Sequence, residues 1–149
     1  MKFSGYSMIV PCCIFLLMTG CSGGAPEFSE KLTPVTGTVT VNGKPTPGVA
    51  VTFAPEAGTS GTGGHAVTDE QGKYQVLHRT DQAGIQPGKY LVTFSKITQK
   101  DGTPIPEGKG LADVDWMQGI PPQYSKAENS KVKAEIAETP ANIDFELKF

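Results

Sequence analysis

The sequence predicts an all-β fold, in which seven antiparallel strands form two packed sheets. Several short segments alternate apolar and polar residues, which is the pattern of a half-buried strand. The 149 residues include 18 glycines and 12 prolines, a frequency that suits short strands joined by turns. No segment shows a clear helical period. Two packed antiparallel sheets bury one face of each strand, so this architecture is the natural solution.

The first 20 residues are predicted to be a signal peptide that precedes the folded domain. Lys2 supplies a positive charge, and an apolar stretch of about ten residues follows at positions 8–18. This stretch is too short to cross a bilayer, which needs roughly 20 apolar residues. Its length and flanks are typical of a secretory signal.

Residues 17–21 (LMTGC) resemble the bacterial lipobox, although Met18 stands where Leu is commoner. This resemblance implies that Cys21 carries a diacylglycerol, that residues 1–20 are removed, and that the new amino group is acylated. The alternative is an ordinary signal followed by an incidental cysteine. Because Cys12 and Cys13 leave with the signal, lipidation of Cys21 leaves neither a disulfide nor a free thiol.

Residues 21–34 are predicted to be the lipidated cysteine and a tether, and residues 35–149 the domain. The tether contains Gly, Ser and Pro and has no sustained apolar period. Each buried methylene of an acyl chain contributes roughly 0.8 kcal/mol, so two or three chains would hold the protein on a membrane permanently.

The domain begins with two alternating runs, residues 35–41 and 49–54. Asn42-Gly43 between them favours the positive φ angles of a tight hairpin turn. Because residues 44–48 are rich in proline, we expect a connection longer than two residues.

Five further strands follow the same pattern, at residues 65–68, 73–78, 89–95, 131–136 and 143–149. Asp69 and Gly72 supply the turn between the third and fourth strands. Ile143 and Phe149 are expected to point inward. The alternation also predicts eight buried core residues: Val39, Val51, Phe53, Tyr90, Val92, Phe94, Phe145 and Leu147.

Residues 96–129 show no convincing period and are predicted to be one long irregular loop. Connections of this length are usually functional or mobile. Trp116, the single tryptophan, and Tyr124 offer aromatic surface for a sugar or peptide, with Asp113 and Asp115 orienting polar groups. The alternative is that Trp116 and Tyr124 pin the loop against the sandwich.

The sequence offers no strong candidate for catalysis or metal binding. His65 and His78 are the two histidines, and without nearby His or Cys partners they are predicted to lie on the surface. Asp113 and Asp115 do not have the spacing of a calcium-binding loop. No G-x-S-x-G motif is present. We therefore predict no metal and no cofactor.

Three segments resemble the carboxypeptidase regulatory-like domain: residues 35–53, residues 66–74 with their T-D-x-x-G-x-Y turn, and residues 85–92 with P-G-x-Y-x-V. This resemblance implies a seven-stranded Greek-key β-sandwich of the prealbumin, or transthyretin-like, type. Residues 120–125, Ser130 and residues 142–147 resemble small bacterial lipoproteins built on this domain. The module has no activity of its own in its namesake enzymes.

Enzymes on related folds are not supported by the motifs. The chain ends in FELKF rather than the Y-R-G-S-like motif of transthyretin-like hydrolases, and the H-x-H pair of intradiol dioxygenases is missing. The H-x-x-E motif of zinc carboxypeptidases is missing from the sequence as well. An isopeptide crosslink is disfavoured because the first strand has no inward lysine.

The predicted function is therefore that of a lipid-anchored, non-catalytic protein of the bacterial cell envelope, with a structural, adhesive or ligand-binding role. An alternative is a carbohydrate- or peptide-binding accessory subunit of an envelope transport or degradation system. The expected partners are the membrane, through the N-terminal lipid, and an envelope glycan or protein. A net charge of -2 without a basic patch argues against nucleic acid.

Overall fold

A computed structural model describes residues 31–149 of the chain, and the predicted signal, Cys21 and most of the tether lie outside this range. The described chain is mostly β, as predicted. Its strands are β1 (Val35–Val41), β2 (Lys44–Pro45), β3 (Ala50–Pro55), β4 (Gly64–Val67), β5 (Lys73–Gln75), β6 (Leu77–His78), β7 (Gly88–Ser95), β8 (Ile97–Gln99), β9 (Trp116–Gln118), β10 (Lys133–Ile136), β11 (Ala141–Asn142) and β12 (Phe145–Leu147). A 3-10 turn covers Leu111–Asp113, and helix α1 covers Pro122–Ser125.

The first five-stranded sheet is built around β1. On one side β1 pairs antiparallel with β5 and β2, and on the other side it pairs parallel with β11 and β12. The prediction of purely antiparallel strands is therefore wrong at the C-terminal segment. After β10 in the second sheet, the chain returns to the first sheet, and β11 and β12 run alongside β1 in the same direction. Between them, Ile143 N–H donates to Thr36 O at 2.8 Å.

The second sheet has the order β10-β7-β3-β4-β6, and all of its pairs are antiparallel. Strand β7 is the longest, with eight residues, and it pairs with β3 from Tyr90 to Ser95. Every second residue of β7 is buried, so the strand presents one face to the core.

The expected hairpin between the first two alternating runs does not form. Asn42 and Gly43 have φ angles of 50° and 79°, and they make a two-residue turn from β1 into the short strand β2. The next run, β3, belongs to the second sheet. Since residues 46–49 carry the chain from one sheet to the other, the Pro-rich segment is a crossover rather than a hairpin loop.

The core lies between the two five-stranded sheets and contains all eight residues that alternation predicts. Phe145 of the first sheet is central to it. Its ring centroid lies 5.1 Å from that of Phe94, edge to face, and 6.2 Å from that of Phe53. Such aromatic pairs add about 0.5–1.5 kcal/mol beyond the burial of their area.

Two inward or outward assignments were wrong, whereas the inward assignment of Ile143 is confirmed, since it is half-buried and packs against the core. Phe149 is 48% exposed because it lies beyond the last paired residue of β12. His78, predicted on the surface, is 3% exposed. It shares the inward phase of Tyr74 and Val76, so the period-two pattern itself placed it inside.

Residues 96–129 are structured rather than one irregular loop. Strands β8 and β9 form a hairpin that pairs with neither main sheet, and α1 follows it. Each strand of this hairpin has three residues, which is too short for a period to be recognised.

Candidate functional site

The distal hairpin, defined as residues 97–118, leaves the second sheet at the end of β7. Its base is closed by Gly119 N–H, which donates to Lys96 O at 2.8 Å. The Gln118 side chain fixes this base: its Oε1 accepts from Lys96 N–H at 2.8 Å, and its Nε2 donates to Ser95 Oγ at 2.8 Å. The hairpin is therefore held at a defined position at the end of β7.

Trp116 lies on β9 and is 46% exposed. It pairs with Gln99, and Ile97 pairs with Gln118, so Trp116 and Ile97 share one face of the hairpin. Ile97 is 38% exposed, and Met117 on the opposite face is 44% exposed. Trp116 is thus not buried against the sandwich, and it shares its exposed face with the apolar side chain of Ile97.

The two predicted acidic residues, Asp113 and Asp115, directly precede this strand and make contacts within the hairpin. Asp113 Oδ2 accepts from Gly110 N–H at 3.0 Å. Asp115 lies 3.5 Å from Lys100 Nζ, an exposed ion pair of the kind that stabilises little. Nearby, hydrogen bonds from Thr103 lower the pKa of the Asp101 carboxyl. These carboxylates help to shape the hairpin.

The amide of Gln99 is also engaged within the hairpin. Gln99 Nε2 donates to Thr103 Oγ1 at 2.8 Å and to Pro104 O at 3.2 Å. The hairpin exposes four large apolar side chains, Ile97, Leu111, Trp116 and Met117, alongside charged ones at Lys100, Asp101, Glu107, Lys109, Asp113 and Asp115.

Tyr124 lies on α1 rather than on the hairpin, and it is half-buried against the core. Its hydroxyl accepts from Lys148 N–H at 3.4 Å and donates to Lys148 O at 3.3 Å. Its ring centroid is 6.2 Å from that of Phe149. These contacts attach Tyr124 to the C-terminal end of the chain. Tyr124 therefore packs against the sandwich, as the alternative interpretation predicts, whereas the exposed Trp116 does not.

The hairpin and the N-terminal end of the domain lie at opposite ends of β7. Thr33 is bridged to Ile85, three residues before β7 begins, whereas the hairpin follows Ser95 at its end. Eight strand residues span about 24 Å, at roughly 3.4 Å per residue. The chain therefore enters the domain near the start of β7, and Trp116 lies beyond the end of β7.

The two histidines differ in their surroundings. His65 is exposed on β4, and His78 is buried between two threonines, with Thr62 Oγ1 2.7 Å from Nε2 and Thr80 Oγ1 2.9 Å from Nδ1. Within residues 31–149 no group of three His, Cys, Asp or Glu residues could hold a metal ion. In the same range no helix is long and apolar enough to cross a membrane.

Sequence reasoning missed one concave surface, an open groove of about 750 Å³ between β4 and β5. Its lining comes from both sheets and includes Thr36, Val67 and Gln75. One signal in the sequence could have indicated this groove. If Ala66 points inward, strand alternation places Val67, a branched apolar residue, on the exposed face.

Comparison with known proteins gives little. No protein-family model matches the chain, and no curated protein matches it. Among solved structures, the crystal structure of a 9R-lipoxygenase from Cyanothece PCC8801 matches 80% of this chain, with 14% sequence identity and a TM-score of 0.36. The chain spans 17% of the length of that lipoxygenase. At this TM-score the likeness carries no argument about this protein.

Proposed function

We propose that this protein is a lipid-anchored, non-catalytic β-sandwich of the bacterial cell envelope, with a prealbumin-like arrangement of its two sheets, and that its distal hairpin binds a partner protein. The observation that carries the binding role is the exposure of Trp116 on an ordered hairpin. Residues 96–129 carry a defined surface, which favours a binding module over a passive scaffold.

The chemistry of the hairpin supports a protein partner. Tryptophan is enriched among the residues that dominate protein–protein binding energy. Because the Gln99 amide and the Asp113 carboxylate are bonded internally, the apolar side chains Ile97 and Trp116, which share one face, dominate the contact.

The position of the hairpin supports presentation away from the anchor. The described chain enters at the end of the domain near Thr33, and the hairpin lies beyond it by the length of β7, about 24 Å. A partner would meet Trp116 before it meets the rest of the domain.

Anchoring is tested by mass spectrometry of the mature N-terminus. We expect a chain that begins at Cys21 and carries the mass of two or three acyl chains. Cys21→Ser should abolish both lipidation and cleavage by the lipoprotein route, while Cys12→Ser should change neither. An unmodified Cys21, or cleavage at another position, contradicts the anchoring proposal.

Partner binding is tested by photo-crosslinking from position 97, on the same face as Trp116, in native membranes, followed by pull-down of the lipidated protein. We expect a defined crosslinked partner whose recovery falls at least tenfold in Trp116→Ala, equivalent to about 1.4 kcal/mol. Phe149→Ala is the matched control, because Phe149 is an aromatic residue of similar exposure at a different site. Equal recovery of the partner by both variants would exclude the hairpin as the binding surface.

A further inference from the structure

The groove between β4 and β5 arises where one hairpin opens. At its turn, Asp69 N–H donates to Lys73 O at 2.8 Å, and four residues earlier His65 pairs with Leu77. The same register would place Val67 opposite Gln75, but no strand pairing joins them. Instead Val67 pairs in the second sheet and Gln75 in the first. The two arms separate there and rejoin at His65.

The opening has the dimensions of a ligand site. Its volume of about 750 Å³ lies within the range of roughly 300–1,000 Å³ that is usual for small-molecule pockets. The closed turn and the rejoined strands bound it along the hairpin. Its two walls belong to different sheets, so its width is set by the fold.

The wall from the first sheet carries an aligned row of uncharged polar side chains. Thr36 pairs with Gln75 on one side and with Asn142 on the other, so the three residues stand in register across three strands. Adjacent strands lie about 4.8 Å apart. Thr38, two residues along β1, extends this surface. Hydroxyl and amide groups each offer both donors and acceptors.

The wall from the second sheet is mainly apolar, with His65 as its one polar side chain. Val67 is 62% exposed, which is unusual for a branched apolar residue in a strand, and Leu77 lies beside it along the groove. A ligand that contacts both walls needs a face of hydrogen-bonding groups and a face of C–H groups.

The charges at the groove favour a neutral ligand. Lys73 and Asp69 lie at the same end, where Asp69 Oδ1 accepts from Lys73 N–H at 2.8 Å and from Gln71 N–H at 2.9 Å. Their opposite charges offset each other. An anion or a cation would therefore find no excess of opposite charge among the lining residues.

We propose that this groove binds a neutral saccharide. Sugar rings combine hydroxyl groups that donate and accept with a C–H face, which corresponds to the polar row at Thr36 and the apolar wall at Val67. The site is distinct from the distal hairpin and does not rest on the partner-binding role proposed for it.

The test is calorimetric titration of the full-length lipidated protein in detergent micelles with triacetylchitotriose and with maltotriose. We expect at least one of them to bind with a dissociation constant of about 1 mM or lower. Gln75→Leu combined with Thr38→Val should weaken binding at least tenfold. Val67→Arg, which fills the groove from an exposed position, should abolish it.

Matched controls separate the groove from general effects on the fold. Gln123→Leu and Thr93→Val make the same chemical changes outside the groove and should leave the affinity unchanged. Thermal unfolding of each variant, within a few degrees of wild type, verifies that the domain is intact. Absence of binding by both sugars at about 10 mM overturns the proposal. So does binding that survives Val67→Arg, or binding that is lost in Trp116→Ala.

Discussion

Gly37 shows at the scale of one residue how closely the first sheet is packed. A Cβ atom at this position would collide with the Ile143 carbonyl and lie 2.9 Å from the Tyr74 ring. The alternating pattern that identifies β1 gives no hint of this, because glycine fits either face of a strand. The constraint comes from Ile143, which is 106 residues away in the sequence.

We expect Gly37→Ala to lower the free energy of unfolding by about 3 kcal/mol, the upper part of the range for overpacking. Gly110→Ala is the control, since its Cβ would meet only Asp113 Oδ2 at 3.4 Å and its φ angle is -86°. Urea denaturation measures both variants. Equal midpoints for Gly37→Ala and wild type would show that the Ile143 carbonyl does not lie against this glycine.

Tyr74 predicts a dependence of stability on alkaline pH. Its side chain is buried, and its hydroxyl donates to Ile143 O at 2.6 Å. Burial, followed by the negative charge of Asp144, raises the pKa of this phenol above its usual value. The unfolded chain therefore loses the proton first, at a pKa of about 10, and the folded state retains it.

The stabilising contribution of the Tyr74 proton is complete below pH 10 and declines above it. The slope is up to about 1.4 kcal/mol per pH unit for this group. Tyr74→Phe lacks this decline, so its stability deficit relative to wild type should shrink as the pH rises from 9 to 11. Urea midpoints over this range provide the measurement, and two parallel profiles would contradict the assignment.

Single residues were predictable where one local signal decides their environment. Alternation identified all eight proposed core residues, and Asp69 accepts the backbone bonds of its turn as its sequence context predicts. Phe149 was assigned inward by continuing the pattern past the last pairing residue. The environment of His78 depends on Thr62 and Thr80, whose approach no local pattern encodes.

At the scale of the element, β12 and the distal hairpin are opposites. Strand β12 is three residues long, yet it contributes Phe145 and Leu147 to the core and pairs with β1. The hairpin is much longer in sequence, but it pairs with neither main sheet. The stability of the fold therefore depends on β12, which buries two side chains in the core, more than on the longer hairpin.

Phe145→Ala should cost about 3–5 kcal/mol, because the ring fills space shared by Phe53, Tyr74 and Phe94. Domains of this kind are stable by roughly 5–15 kcal/mol, so the variant is expected to be marginal or unfolded. Phe149→Ala removes the same ring from an exposed position and should stay within about 0.5 kcal/mol of wild type. Urea denaturation compares the two, and similar costs would refute the inward phase of β12.

Replacing residues 97–117 with two glycines should leave the sandwich folded. Lys96 and Gly119 are already hydrogen-bonded across the base, and Gln118 is kept to fix it. A shorter connection also reduces the entropy cost of closure. Far-UV circular dichroism and the thermal midpoint should resemble those of wild type. Truncation after Asn142, which removes β12, is the contrasting variant and should fail to fold. If the variant without the hairpin also unfolds, the hairpin is part of the core.

At the scale of the whole molecule, the sequence predicted the all-β class but not how the strands are connected. Strand identity depends on neighbours along the chain, whereas pairing depends on residues far apart. Val39 pairs with Phe145, and nothing in either segment states whether the pair is parallel. The groove was equally hidden, since it results from two arms of one hairpin joining different sheets.

The central position of β1 has a mechanical consequence for the proposed attachment at the N-terminus. Tension applied between the anchor and a partner would enter the domain along β1, which is bonded to β5 and β2 on one edge and to β11 and β12 on the other. A pull along the strand axis loads these hydrogen bonds together, in shear, whereas a pull across an edge strand would open them one after another. Such an arrangement resists extraction of the first strand, and its failure under force is governed by the rate of unfolding rather than by equilibrium stability.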